Sequence, residues 1–167
     1  ATQAVCGEGP LDAEIMLIGE QPGDREDLAG RPFIGPAGQV LNEGLSQAGL
    51  ERDRLYLTNA VKHFKYEPRG KRRLHKRPDA GEVRHCRWWL EKEFALVRPK
   101  IVLALGATAY QALTGETRPM EEVRSMPIPI DEGRMLFVTV HPAYLLRIPE
   151  PEKQAQERAR FHEDLQA

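Results

Sequence analysis

Residues 14–19 (EIMLIG), which run straight into residues 20–36 (EQPGDREDLAGRPFIGP), decide the fold. Four consecutive apolar side chains closed by a glycine read as a strand buried on both faces that ends in a sharp turn. Working outward, residues 37–49 carry Val40, Leu41, Leu45 and Ala48 at helical spacing and close on a glycine, so they predict a helix. Residues 55–61 (LYLTNAV) are a second strand. Asp79 can cap a helix that runs to about Arg98, where Pro99 stops it. Residues 100–105 (KIVLAL) form a third strand, with a turn at Gly106 into a short helix through Leu113. Residues 115–133 hold three prolines and read as loop with at most a short edge strand. Residues 135–140 (MLFVTV) are the last core strand, and residues 152–165 a charged closing helix. This alternation predicts an α/β fold, a parallel sheet with helices on its faces. On the long helix, Trp88, Trp89 and Leu90 are expected in the core, and His85 and His162 are expected to face solvent.

Length and charge bound the function. The 167 residues suit a single domain over residues 1–167, and 41% hydrophobic with 29% charged residues excludes a disordered or collagenous chain. The longest apolar run, residues 101–107, falls far short of the roughly 20 residues that span a bilayer, and residues 1–3 carry no signal segment, which disfavours a membrane or secretory role. Two cysteines, Cys6 and Cys86, are an intracellular inventory, so the expected location is cytoplasmic. The first residue is not Met, so a longer chain can precede it. Net charge is −1, yet between Lys62 and Arg77 eight Lys or Arg stand against one acid, Glu67, which points to a local polyanion contact.

In open parallel sheets, ligands bind beyond the carboxyl ends of the strands. Three unusual loops lie there: residues 20–36, 59–78 and 141–147. The first lacks the Gly-Lys-Ser/Thr of a phosphate-binding loop and is rich in acids, so it suits a neutral base or an activated water, or is simply a solvated turn that caps the next helix. In the second, the Asn59 amide can pair with a pyrimidine edge or serve the turn, while Phe33 or an aromatic of the loop can stack on the base. Lys71, Arg72 and Arg73 can bind phosphates or be solvated. Positive neighbours disfavour a protonated ring at His75, leaving it nucleophilic unless it is an inert surface residue. His141 can donate a hydrogen bond to charge developing on a leaving group, or can bond backbone. His63 and Cys86 can both ligate a soft metal, but two ligands do not make a site.

Gly19-Glu20-Gln21-Pro22-Gly23 with Gly30-Arg31-Pro32-Phe33, then Thr58-Asn59-Ala60-Val61-Lys62-His63-Phe64, then Lys71-Arg72-Arg73-Leu74-His75, and finally His141-Pro142 through Leu146-Arg147, resemble the uracil-DNA glycosylase superfamily. The similarity is closest to the UdgX type, a relative of the iron–sulfur family 4 enzymes. It implies a three-layer α/β/α sandwich with a four-stranded, mainly parallel sheet, and a cleft that takes a flipped uracil. By the same resemblance Phe33 stacks on the base, Asn59 reads its edge, Gln21 contacts it through backbone and His141 stabilises the departing uracil anion. Arg147 holds DNA backbone, and Glu20 and Asp24 lie near the sugar. His75 matches the histidine that becomes joined to the anomeric carbon.

The implied partner is uracil-containing DNA, single-stranded as well as double-stranded, bound by a monomer. The implied cofactor is a [4Fe–4S] cluster with His63 and Cys86 as two ligands. The family places a Cys-x-x-Cys pair upstream of the segment where this chain begins, so the sequence leaves open whether that pair was cut away or the cluster is not held; Cys6 is not at a ligand position. Three rivals stand beside a capturing glycosylase: a turnover glycosylase, a non-catalytic binder of uracil-containing or single-stranded DNA, and an iron–sulfur redox protein, the last needing more thiols than are present.

Overall fold

The computed structural model describes residues 1–131 and 133–166, so Glu132 and Ala167 lie outside the described residues. Strand β1 (Ile15–Gly19) sits between β2 (Tyr56–Asn59) and β5 (Ile101–Leu105), parallel to both, and β7 (Arg134–Thr139) continues the parallel set beside β5. Side chains alternate across this sheet as the pleat requires. Met16, Ile18, Val102 and Ala104 join one core with α3 (Ala80–Val97), α4 (Ala107–Thr114) and α5 (Met120–Val123). Leu17, Leu57, Leu103 and Leu105 join a second core with α2 (Pro36–Gln47), α6 (Pro142–Leu146) and α7 (Pro151–Gln166). Helices thus cover both faces, which makes the three layers. Among the described residues no helix is long and apolar enough to cross a membrane.

The sheet has five strands, not four. Strand β6 (Ile128–Asp131) pairs antiparallel with β7, giving the order β2-β1-β5-β7-β6. Its prolines hide it in the sequence, but an edge strand donates on one side only, and the register shifts between Pro129 and Asp131. Two further elements occupy stretches read as loop. Helix α1 (Asp24–Ala29) is too short to show apolar periodicity; Asp24, Glu26 and Asp27 in its first turn favour it through the helix dipole. The basic segment folds as a hairpin, β3 (Tyr66–Arg69) with β4 (Arg72–His75). Gly70, at φ 63°, takes the first of its two turn positions, a conformation that glycine adopts without steric cost.

Two expectations about helix faces are corrected. Trp88 and Trp89 are exposed, 53% and 51%, and only Leu90 enters the core. Helix α3 buries Val83, Cys86, Leu90 and Val97, a three-and-four spacing that leaves positions 88 and 89 on the outer side. His162 is half-buried on α7, with its Nε2 shielded from solvent, because the neighbouring Phe161 is drawn wholly into the core. His85 is exposed, and Asp79 caps α3 by accepting from the Glu82 N–H at 2.9 Å.

A buried ionic knot fastens α7 to the sheet. Arg124 donates through Nε to Asp164 at 2.5 Å and through Nη1 to Glu157 at 3.1 Å, while Thr139 donates to Asp164 at 2.6 Å. Removing one partner of a buried pair strands the other charge, so Arg124→Met is expected to lower stability by about 3–5 kcal/mol in urea unfolding followed by circular dichroism. A loss below about 1 kcal/mol would show that solvent reaches Asp164 and Glu157 in the native state.

Candidate active site

Gly19 and Asn59 are partners in the β1–β2 register, so the two chains leave the sheet side by side. Their exits stay paired: Ala60 N–H donates to Gly19 O at 2.8 Å and Val61 N–H to Glu20 O at 2.9 Å. The end of β7 delivers His141, and β4 delivers His75. A cleft of about 660 Å³ collects Glu20, His75, Thr108, His141, Tyr144 and Arg147. A hollow of about 730 Å³ elsewhere, lined by Ala13, Ile15, Leu50 and Leu55, gathers none of these residues.

Asn59 is 3% exposed and its Oδ1 has no hydrogen-bond partner, an unmet acceptor in a buried place. Phe33 lies beside it. A Cβ on Gly19 would fall 2.6 Å from both Asn59 Oδ1 and Phe33 Cζ, so the missing side chain of Gly19 is what lets the amide and the ring approach. Phe33 holds a left-handed backbone, φ 54°, which is strained for an aromatic residue. Two side chains maintain it. Arg52 donates to Phe33 O at 2.8 Å and Pro32 O at 2.9 Å, and Glu26 accepts from the next N–H, that of Ile34, at 2.9 Å.

His75, at the end of β4, is exposed, with Nε2 2.9 Å from Gln21 Nε2 and 3.3 Å from Glu20 Oε1. The Gln21 amide is oriented by both its ends: Oε1 accepts from Lys65 N–H at 2.6 Å and Nε2 donates to Lys76 O at 2.7 Å. Gln21 therefore braces the hairpin with its side chain. Glu20 Oε2 accepts from Thr108 Oγ1 at 2.8 Å. Burial pushes the Glu20 carboxyl up, but hydrogen bonds from His75 and Thr108 outweigh it and hold the group below its ordinary range, so it is ionised at neutral pH.

His141 accepts from Ala143 N–H through Nδ1 at 3.0 Å, so the neutral ring carries its proton on Nε2. Burial pushes its pKa down to about 4 against the pull of Glu20, and the ring is an uncharged donor at neutral pH. The residue bonds backbone and also lines the cleft. Arg147 is exposed at the cleft mouth, its Nε 3.3 Å from Ala143 O.

The basic residues divide. Lys71 and Arg72 are exposed, whereas Arg73 donates to Asp24 and Asp27, at 2.6 Å each, and lies over the rings of Phe64 and Tyr66. Asp24 and Arg73 are thus engaged with each other, and the hairpin's aromatics sit under a guanidinium. Asp27 is fully buried and also accepts from Thr2 N–H at 2.9 Å. Burial pushes the Asp27 carboxyl up, but Arg73 with the Thr2 and Gln3 N–H groups holds it below its ordinary range. Asp27, Arg52, Thr108 and the close approach at Gly19 escape a sequence reading. Their partners lie far along the chain, and no local spacing marks them.

His63 and Cys86 do come together, beside a cavity of about 370 Å³; His63 is exposed, and Cys86 is buried with Sγ accepting from Lys62 N–H at 3.4 Å. Among the described residues no group of three or more His, Cys, Asp or Glu is placed to hold a metal, so the residues present do not by themselves fit a four-ligand cluster.

Residues 6–166 match the family model described as the uracil DNA glycosylase superfamily. The chain is 38% identical over 147 residues to a type-4 uracil-DNA glycosylase of Thermotoga maritima, covering 87% of this chain and 73% of that protein. It is 37% identical over 155 residues to a type-4 uracil-DNA glycosylase of Pyrobaculum aerophilum, covering 87% and 74%. The family match takes in all the sheet strands and every residue that lines the cleft, and the chain belongs to the uracil DNA glycosylase superfamily.

Proposed function

We propose that this chain excises uracil from DNA and retains the abasic sugar through a covalent bond to His75. Excision is supported by the family and by the two type-4 relatives. Capture is carried by one observation: the His75 ring stands 3.3 Å from the ionised Glu20 carboxylate and opens onto the cleft that His141 lines. A flipped uracil stacks on Phe33 and presents its N3–H to the unpaired Asn59 Oδ1. The C1′–N1 bond breaks with its electron pair leaving on uracil, and the His141 Nε2–H stabilises that anion without giving up its proton.

The sugar left behind has oxocarbenium character. A ring nitrogen of neutral His75 donates its lone pair to C1′, the remaining ring proton passes to Glu20, and the departing uracil or solvent takes that proton in turn. The product is a neutral N-alkyl imidazole, a poor leaving group, whereas an ester to a carboxylate would hydrolyse. Lys71 and Arg72 meet phosphates of the strand, and Arg73 anchors the hairpin that carries His75.

Incubation with a uracil-containing single-stranded oligonucleotide, then boiling in denaturant, is expected to give a slower band on a denaturing gel, absent with a thymine control. His75→Ser is expected to abolish that band and release free abasic product. Loss of uracil from the substrate oligonucleotide with no adduct to the unsubstituted protein leaves excision standing and removes capture. For the phosphate contacts, Lys71→Ala and Arg72→Ala should each reduce the slope of log K against log salt by about 1, with uracil selectivity intact; an unchanged slope excludes them from the interface.

The pH dependence follows from His141. Its folded pKa lies below the unfolded value of about 6.5, so between pH 6.5 and about 4 the unfolded chain binds a proton that the folded chain refuses. Stability contributed by this residue is full above that window and is lost as pH falls through it. Urea midpoints should therefore drop on acidification less steeply in His141→Asn than in the parent; parallel profiles would show that His141 is protonated as readily in the fold as out of it.

A further inference from the structure

We infer that Thr108 is a positioning residue that holds one oxygen of the Glu20 carboxylate, leaving the other to face His75. This rests on the reading of Glu20 as the group that accepts the His75 proton. Thr108 is the second residue of α4 and 4% exposed, and its Oγ1 reaches Glu20 Oε2 at 2.8 Å from 88 residues away in the chain. The start of α4 is itself fastened to the end of β7, where Gly106 N–H donates to Thr139 O at 2.8 Å. The hydroxyl therefore belongs to a fixed frame, and the carboxylate it holds cannot swing its two oxygens freely. Oε1 is left 3.3 Å from His75 Nε2.

Removing the hydroxyl has two effects. The carboxylate loses its orientation toward the ring, and burial raises its affinity for a proton against weaker opposition. The other charged groups stay in place. His75 faces Glu20 from β4 and His141 from the end of β7, Arg77 and Arg147 line the same cleft, and Arg124 is already engaged by Glu157. A missing Thr108 hydroxyl has no substitute among them, since none of these groups hydrogen-bonds Oε2.

The test is a set of single-turnover rates of uracil release and of adduct formation on the same oligonucleotide, between about pH 5 and 8, for the parent, Thr108→Val, Thr108→Ala, Thr108→Ser and Glu20→Gln. Thermal unfolding of each variant confirms that it is folded. Thr108→Val and Thr108→Ala are expected to slow the reaction at least about tenfold at neutral pH and to move its acid limb to higher pH, because the hydrogen bond they remove is to a charged group. Thr108→Ser keeps the hydroxyl and should retain the parent's acid limb. An acid limb unmoved in folded Thr108→Val and Thr108→Ala, with any loss of rate equal at every pH, overturns the inference. If Glu20→Gln reacts like the parent, Glu20 is not the acceptor, and the underlying reading falls along with the role of Thr108. If Glu20→Gln is slow while Thr108→Val and Thr108→Ala are normal, only the role of Thr108 falls. Should uracil be released without adduct, there is no His75 proton for Glu20 to accept, and the underlying reading falls together with the role of Thr108.

Discussion

The parallel pairing of β1 with β2 and β5 is the constraint on which the rest depends. Parallel strands end on the same side of a sheet, and the register that sets Gly19 opposite Asn59 brings their loops out together. Because β1 is covered on both faces, a one-residue slip would exchange its two cores, placing Leu17 where Met16 and Ile18 belong. The geometry of the cleft is thus fixed by hydrophobic packing well away from any polar group that works in it.

Above the sheet, opposite charge does what packing cannot. Arg73 is drawn between Asp24 and Asp27 and over two aromatic rings, and this fastens the exposed hairpin to α1. Gln21 spans from Lys65 to Lys76 and braces the same hairpin from within. His75, at the hairpin's end, inherits its place from these contacts. A basic segment that would otherwise be a solvated loop becomes a hairpin held against α1 because its charges are divided between internal partners and solvent.

Inside the cleft the titratable groups are set apart by their surroundings. Glu20 is ionised because hydrogen bonds from His75 and Thr108 overcome burial, and His141 is neutral because burial overcomes the attraction of Glu20. One carboxylate and one uncharged donor thus coexist in the same cleft near neutral pH. The strain at Phe33 has the same logic, since Arg52 and Glu26 hold a backbone conformation that an aromatic residue would not choose.

Sequence was enough for the α/β class, the four parallel strands, the long helices and the three loops that meet in the cleft. Periodicity and strand-ending glycines are local signals, and burial of β1, β2, β5 and β7 obeys them. It also singled out Glu20, Asn59 and His141, each of which stands where a strand ends or a loop begins, and His75, which stands out for its cationic neighbours and for the motif it closes. For β6, whose prolines disguise an edge, it allowed only a short edge strand without placing it, and it missed the outward turn of Trp88 and Trp89, although the spacing of Val83, Cys86 and Leu90 contains that answer. Tertiary structure alone decided that Arg73 is a brace, that the Gln21 side chain braces the hairpin, and that Thr108, Asp27 and Arg52 support the site. The partners through which they do so lie as far as 88 residues away, and only a closed fold brings such groups within hydrogen-bonding distance.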